Sequence, residues 1–295
     1  MAWPCARCGA RLCRIPALSR ACKHNPAGSS LLHRRIMPMK TTKKLRFLPA
    51  LAAFGALFLP LACGANPNAL WEIVHDYCEP AAEGARVQQK CADVNLAGGY
   101  AVLKDLVGIA QYLLIPTARV SGIESPELLE PNAPNYFRDA WNARGYVNRA
   151  LRRTLPRDEV SLAINSASGR TQNQFHIHID CLAHDVAQTL RELGPTIGTD
   201  WAPLPVRLRG HVYSAMRIDD ADLTHTDPFK LLAPYAASRG QTMGEQTLLL
   251  AGATRGDGAP VFILLNDHVQ PGNWASSEEL QDHTCSLADR SIEKP

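Results

Sequence analysis

The sequence predicts an α+β fold, an antiparallel sheet with flanking helices, in one compact unit from about residue 67 onward. Three observations predict it. From Gln174 to Asp180 the polar residues Gln174, His176, His178 and Asp180 alternate with Phe175, Ile177 and Ile179, the period of a strand with one polar and one apolar face. Apolar runs at 246–253 and 261–265 flank Arg255-Gly-Asp-Gly, the pattern of a hairpin. Between strand-like runs, Tyr136, Phe137, Ala140, Trp141, Tyr146 and Val147, and later Val186, Leu190 and Leu193, recur at helical spacing. No internal repeat or linker divides this part, and a 295-residue chain with 46% hydrophobic residues can fill its core.

The N-terminus has a different character. Residues 1–36 form an Arg- and Cys-rich head in which Cys5 and Cys8 make a Cys-x-x-Cys, but no second pair follows at zinc-site spacing. Residues 37–66 have the layout of a secretory signal or short signal anchor. Lys40, Lys43, Lys44 and Arg46 precede an apolar run of 16 residues, 47–62, which ends in small residues. A permanent span takes about 20 apolar residues, so the run is short for one. An export signal belongs at the start of a chain, which makes Met37 or Met39 the expected start and the head an extension. A core helix is the alternative for the run, and Leu61-Ala62-Cys63 fits a lipid-attachment signal poorly because of Pro60 and Leu61.

Export would give Cys78, Cys91, Cys181 and Cys285 a compartment in which disulfides persist. Four cysteines allow three pairings. Cys78 and Cys91 enclose a polar loop that suits a local staple, which would leave Cys181 for Cys285; reduced, buried thiols are the alternative.

Along the globular part, 100–106 and 111–117 read as two strands joined by a turn at Gly108, with Pro116 ending the second. Asn135 caps a helix that Pro156 closes. A strand over 160–165 ends at Asn165, and the polar turn 166–171 leads into the key strand, 171–181. A helix starts at His184-Asp185 and stops at Gly194-Pro195. Asp227-Pro-Phe is a turn before a helix-like run at 231–235, and 278–285 reads as a short terminal helix.

A formal net charge of +3, with basic residues scattered except near the N-terminus, gives no support for nucleic-acid binding. Nothing in the sequence sets an oligomeric state. Chemistry therefore centres on the 174–180 stretch. Two imidazoles on one strand face can be nucleophile, general base or metal ligand near neutral pH. A zinc site would need a third ligand, for which Asp180, His184 or His211 are candidates. A purely structural pair of hydrogen-bonded histidines is the bland reading.

The stretch resembles the histidine triad superfamily, whose signature is three histidines alternating with apolar residues on a strand. An Asn on the neighbouring strand and a Ser or Thr three residues before the first His complete it. His176 matches the middle, nucleophilic position and His178 the last, phosphate-supporting one; Thr171 and Asn165 match the upstream positions. Gln174 stands where the first His is expected and cannot take up a proton. Blocks at 97–106, 111–117, 122–126, 161–166 and 169–179, with Trp201-Ala-Pro-Leu-Pro, Leu208-Arg-Gly-His and Gln281-Asp-His-Thr-Cys, look like the bacterial CDP-diacylglycerol diphosphatase family, which also carries Cys at these four positions.

The resemblance implies a HIT-like fold and hydrolysis of CDP-diacylglycerol to CMP and phosphatidate through a nucleotidyl-His176 intermediate, without metal or cofactor. Gln174, Thr171 and Asn165 would serve the substrate with His178. Arg170, Lys104 and Arg209 are candidate cations for the second phosphate, and His211 a further candidate. His75, His184, His225, His268 and His283 read as surface or structural. The implied place is the inner membrane, facing the periplasm, with the lipid bilayer as partner. A hydrolase or nucleotidyltransferase acting on soluble nucleotide anhydrides, and a non-catalytic nucleotide- or lipid-binding protein, are the alternatives.

Overall fold

The computed structural model describes residues 66–288; the Cys-rich head, the candidate signal and Cys63 lie outside the described residues. Within these, strands β1 (Asp93–Asn95), β2 (Tyr100–Lys104), β3 (Tyr112–Pro116), β4 (Val160–Ile164), β5 (Ile177–Cys181), β6 (Ala202–Pro203), β7 (Ser214–Ile218), β8 (Gln246–Thr254) and β9 (Pro260–His268) form one sheet. Every pairing is antiparallel, in the order β1-β2-β3-β5-β4-β8-β9-β7-β6. The chain is thus a mixed helix and antiparallel-sheet protein, as its patterning predicts.

Register decides what each face buries, because side chains alternate along a strand and paired residues share a face. One row crosses the sheet as Leu103, Leu113, His178, Ala163, Leu249, Leu265 and Ala215. The adjacent row, Tyr112, Ile179, Leu162, Leu250, Leu264 and Met216, points the other way. That second face carries the main core, where Phe175, Ile177 and Ile179 pack with α3 (Tyr136–Ala143), α4 (Gly145–Leu151) and α6 (Pro228–Ser238). Each of these buried side chains contributes about 1.5–3 kcal/mol relative to exposure.

The histidine face instead has two separate apolar clusters. Leu70, Ile73 and Val74, from α1 (Ala69–Ile73) and the π-wound turn Val74–Cys78, cover Ala101, Leu103, Leu113 and Ile115. At the other end Val186, Ala187 and Leu190 of α5 (His184–Leu193) cover Ala163, Leu249, Ala251, Ile263 and Leu265. His178 falls between the two clusters. The gap is closed by the C-terminal strap, residues 277–285, whose Gln281 donates to the carbonyls of His178 and Ser161.

Several boundaries differ from expectation, each for a local reason. The key strand begins only at Ile177, because Asn173 N donates to Pro67 O and Phe175 N to Val120 O, outside the strand ladder. The helix after Asn135 is capped by that residue as predicted, but it breaks at Arg144 before Gly145 and ends at Leu151. Residues 278–285 form no helix beyond the 3-10 turn Ser277–Leu280. Asp282 there collects the amides of Thr284 and Ser286 and both their hydroxyls, a side-chain alternative to helical hydrogen bonding. Helix α1 and its continuation were not read from the sequence.

Both expected disulfides are present, Cys78–Cys91 and Cys181–Cys285, separated by 13 and 104 residues. The second ties the strap to the end of β5. Chain-entropy reasoning makes the longer closure worth about 2 kcal/mol more than the shorter. Urea unfolding of Cys181→Ser/Cys285→Ser should therefore show the greater loss of stability, and an equal loss in Cys78→Ser/Cys91→Ser would contradict this assignment.

Candidate active site

His176 and His178 stand two residues apart at the start of β5, with ring centroids 4.8 Å apart. Both are buried, at 8% and 6% exposure. Burial is the main reason that neither ring holds a proton near neutral pH: His176 is lowered to about 4, aided by His178, and His178 to about 3, aided by the charge on His283.

Hydrogen bonds assign unequal chemistry to the two rings. Nδ1 of His176 lies 2.7 Å from the backbone carbonyl of Gln174. A carbonyl only accepts, so Nδ1 carries the hydrogen and Nε2 keeps an unshared pair. Among the described residues that Nε2 has no partner. Nδ1 of His178 lies 3.0 Å from the side-chain amide nitrogen of Gln111, which also donates to Oε1 of Glu278 at 3.3 Å. With the amide in this orientation Nδ1 accepts and the ring hydrogen sits on Nε2. His178 Nε2 is buried without a partner among the described residues. An unmet buried donor costs about 1–3 kcal/mol, which an incoming anionic oxygen would relieve. Oε1 of Glu278 also lies 3.3 Å from His178 Nδ1, but an uncharged ring makes that contact no ion pair at neutral pH.

Glu278 organises more than His178. Asn165 donates to its Oε2 at 3.0 Å, and Glu278 N donates back to Asn165 Oδ1 at 3.3 Å. Nε2 of His283 is 3.7 Å from Oε1. On its other side His283 Nδ1 contacts the fully buried Asp180 carboxylate at 2.8 Å, and that bond is the first cause of its raised proton affinity. Gln111, Glu278, Asp180 and His283 thus join His176, His178 and Asn165 in one cluster. His283, expected to be surface or structural, lies against this cluster through Asp180 and Glu278. The signal that could have found it is its spacing of two from Cys285, which the disulfide brings to Cys181 beside Asp180.

The remaining predicted site residues are placed differently. Gln174 is fully buried, and its amide nitrogen donates to the carbonyls of Pro116 and Ala118, which leaves only an acceptor, Oε1, without a partner among the described residues. Its expected donation to phosphate is therefore spent on the loop after β3. Thr171 is exposed in the turn before Gln174, with no side-chain hydrogen bond among the described residues. Arg170 is locked to Glu124 by two 2.6 Å bonds. Arg209 pairs with Asp185 on the surface at 2.9 Å. Lys104 points its ammonium at the carbonyls of Asp105 and Gly108, at 2.8 and 3.0 Å. His211 bonds Glu279, the neighbour of Glu278, at 2.7 Å, in company with Tyr213.

For metal ligation, the ligand atoms that converge among the described residues are those of Asp180, Cys181 and Cys285, whose sulfurs are joined to each other. Two cavities, of about 490 and 540 Å³, are lined by other residues and contain neither histidine. The cluster itself can offer a free imidazole nitrogen, an unpaired N–H donor beside it and a third imidazole, His283, of raised proton affinity, a set suited to attack on a phosphorus centre.

Comparison with known proteins bears on the same residues. A family model described as CDP-diacylglycerol pyrophosphatase matches residues 65–289. A protein of Yersinia pestis, described as CDP-diacylglycerol pyrophosphatase, is 42% identical over 224 residues, covering 75% of this chain and 85% of the relative.

Two outcomes follow from the site geometry. In an NMR titration both rings stay neutral down to about pH 5, with His176 protonating near 4. In the unfolded chain they would charge at the ordinary 6.5, so their contribution to stability is complete above that pH and is lost as pH falls toward 4. The raised His283 has the opposite sign, contributing below 6.5 and losing its contribution as pH rises through its folded value. A ring titrating near 6.5 at position 176 would contradict its burial. Second, Gln174→His restores no activity and loses about 1 kcal/mol of stability, because a neutral imidazole has one donor for two carbonyls. A faster enzyme would overturn that reading.

Proposed function

The chain is an enzyme of the CDP-diacylglycerol pyrophosphatase family, and on that premise we propose that it splits CDP-diacylglycerol through a covalent nucleotidyl-His176 intermediate, on a fold of the histidine triad superfamily. The observation that carries the mechanism is the 2.7 Å contact between His176 Nδ1 and Gln174 O, which leaves Nε2 of an uncharged imidazole free.

In the first step the Nε2 pair attacks the phosphorus of the CMP moiety. A P–N bond forms, the bond to the bridging oxygen breaks, and phosphatidate leaves with that bond pair as a phosphate monoester. Attack converts His176 to a cationic phosphoramidate while Nδ1–H remains on Gln174 O. In the second step water attacks the same phosphorus, the P–N bond breaks, and CMP departs as the imidazole regains its pair and the water proton passes to solvent.

The site residues contribute charge and alignment. His178 Nε2–H meets a non-bridging oxygen, and His283, held by Asp180, places positive charge at the edge of the cluster. Asn165 serves by fixing Glu278. For Arg209 to meet the distal phosphate it must leave an exposed carboxylate, a small cost; Arg170 would have to leave a tighter, half-buried one. His211 bonds Glu279, the neighbour of Glu278, and Lys104 holds the carbonyls of Asp105 and Gly108.

The reading places the domain at the periplasmic face of the inner membrane, with residues 37–66 as signal or anchor. Two disulfides support an oxidising compartment. Among the described residues no helix is long and apolar enough to cross a membrane.

The test is hydrolysis of labelled CDP-diacylglycerol. His176→Ala lowers kcat by about three orders of magnitude or more, and His178→Ala, which removes one charge-stabilising donor, by about two to three. Wild-type turnover by folded His176→Ala would exclude the nucleophile assignment.

A further inference from the structure

Between Asp105 and the cluster residue Gln111 runs a short loop that exposes three aliphatic side chains. Leu106 is 67% exposed, Val107 51% and Ile109 61%, whereas most other aliphatics among the described residues are buried. One end of the loop belongs to the histidine cluster: Gln111 bonds His178 and Glu278. At the other end the Asp105 carboxylate, raised chiefly by burial, is near enough for the Glu278 charge to raise it further. The loop also rests on the strap, since Ile109 N donates to His283 O at 2.9 Å.

Several of the loop's polar groups are bonded to protein partners. Lys104 caps the carbonyls of Asp105 and Gly108, Asp105 N donates to Gln111 O, and Val107 N donates to Asp105 Oδ1. Gly108, at φ +72°, makes the reversal that turns the aliphatics outward. Each bonded group lowers the cost of bringing the loop to a medium poor in hydrogen-bond partners, and the remaining groups can stay at headgroup level, where water is present. Trp274, 68% exposed, stands on the other flank of the site: its carbonyl takes a bond from Ser166, the residue after Asn165, and it precedes Glu278 by four.

We infer that the 105–110 loop is a membrane-docking element: Leu106, Val107 and Ile109 enter the bilayer and bring the lipid headgroup to His176. The inference rests on the lipid pyrophosphate reading above. The substrate's acyl chains must leave the histidine cluster toward apolar surroundings, and this loop is the apolar surface bonded to the cluster. With the aliphatics in the hydrocarbon boundary, the Asp105 and Gln111 ends of the loop lie at headgroup level, beside the pyrophosphate. Lys104, spent on two loop carbonyls, is then a positioning residue and not a phosphate cation.

The experiment compares full-length wild type with Leu106→Asp/Ile109→Asp on two substrates. One is CDP-dioleoylglycerol in phosphatidylethanolamine–phosphatidylglycerol vesicles; the other is water-soluble CDP-dihexanoylglycerol below its micelle concentration. The double variant loses about tenfold or more in kcat/KM on vesicles while its rate on the soluble substrate is unchanged. An unchanged vesicle rate would overturn the proposal. In parallel, Val107→Trp fluorescence is quenched by brominated lipids in the same vesicles. If both hydrolysis rates of the double variant fall together, this quenching decides: its absence, or a signal that follows protein concentration as in pairing with a second copy, overturns docking. Hydrolysis of neither substrate by wild type would instead sink the lipid pyrophosphate reading, with the quenching still reporting on docking.

Discussion

The Glu278 carboxylate is the interaction on which the arrangement of the site depends. It lies on a 3-10 turn near the C-terminus, yet it takes hydrogen bonds from Asn165 after β4 and Gln111 before β3 and lies against His178 of β5 and His283. Three sheet strands and the strap therefore share one charged group. Such a group holds its place only if its donors stay, and each donor would be left unmet in a half-buried setting without it. What fixes Glu278 is the strap: the Leu182–Gln281 bridge, Ala183 N on Leu280 O, and the Cys181–Cys285 disulfide.

The sheet supplies the second condition. Its histidine face is roofed at both ends by apolar clusters, so the gap between them is a poor solvent for a charged ring. Burial holds His176 and His178 uncharged, and an uncharged imidazole is the form that can attack phosphorus. His283 at the rim is held in the opposite sense by Asp180. A neutral imidazole pair and a third imidazole of raised proton affinity thus arise from one strand and one strap, by depth and partner alone.

Much of this was legible in the sequence where information is local. Alternation at 174–180 told which side chains share a face, turns at Gly108 and 255–258 told where strands reverse, and Asn135 caps a helix as its residue type suggests. What failed was set by distant partners. Residues 174–176 carry the alternation of the strand, but Asn173 N bonds Pro67 and Phe175 N bonds Val120, and Glu278 looks like one of many surface acids until the strap folds back. Arg170 is a cation in sequence and a locked ion pair in space. Gln174 reads as a damaged first position of a histidine signature; its two bonds to Pro116 and Ala118 make it a clamp on the end of β3, behind His176.

The most direct measurement on the central claim is capture of the reaction intermediate. Rapid quench of the full-length protein with CDP-diacylglycerol labelled in the cytidylyl group, followed by peptide mapping at alkaline pH, should find an acid-labile CMP adduct on the peptide containing His176. Steady CMP release with no adduct at any quench time, or an adduct carried by another residue, would contradict the account.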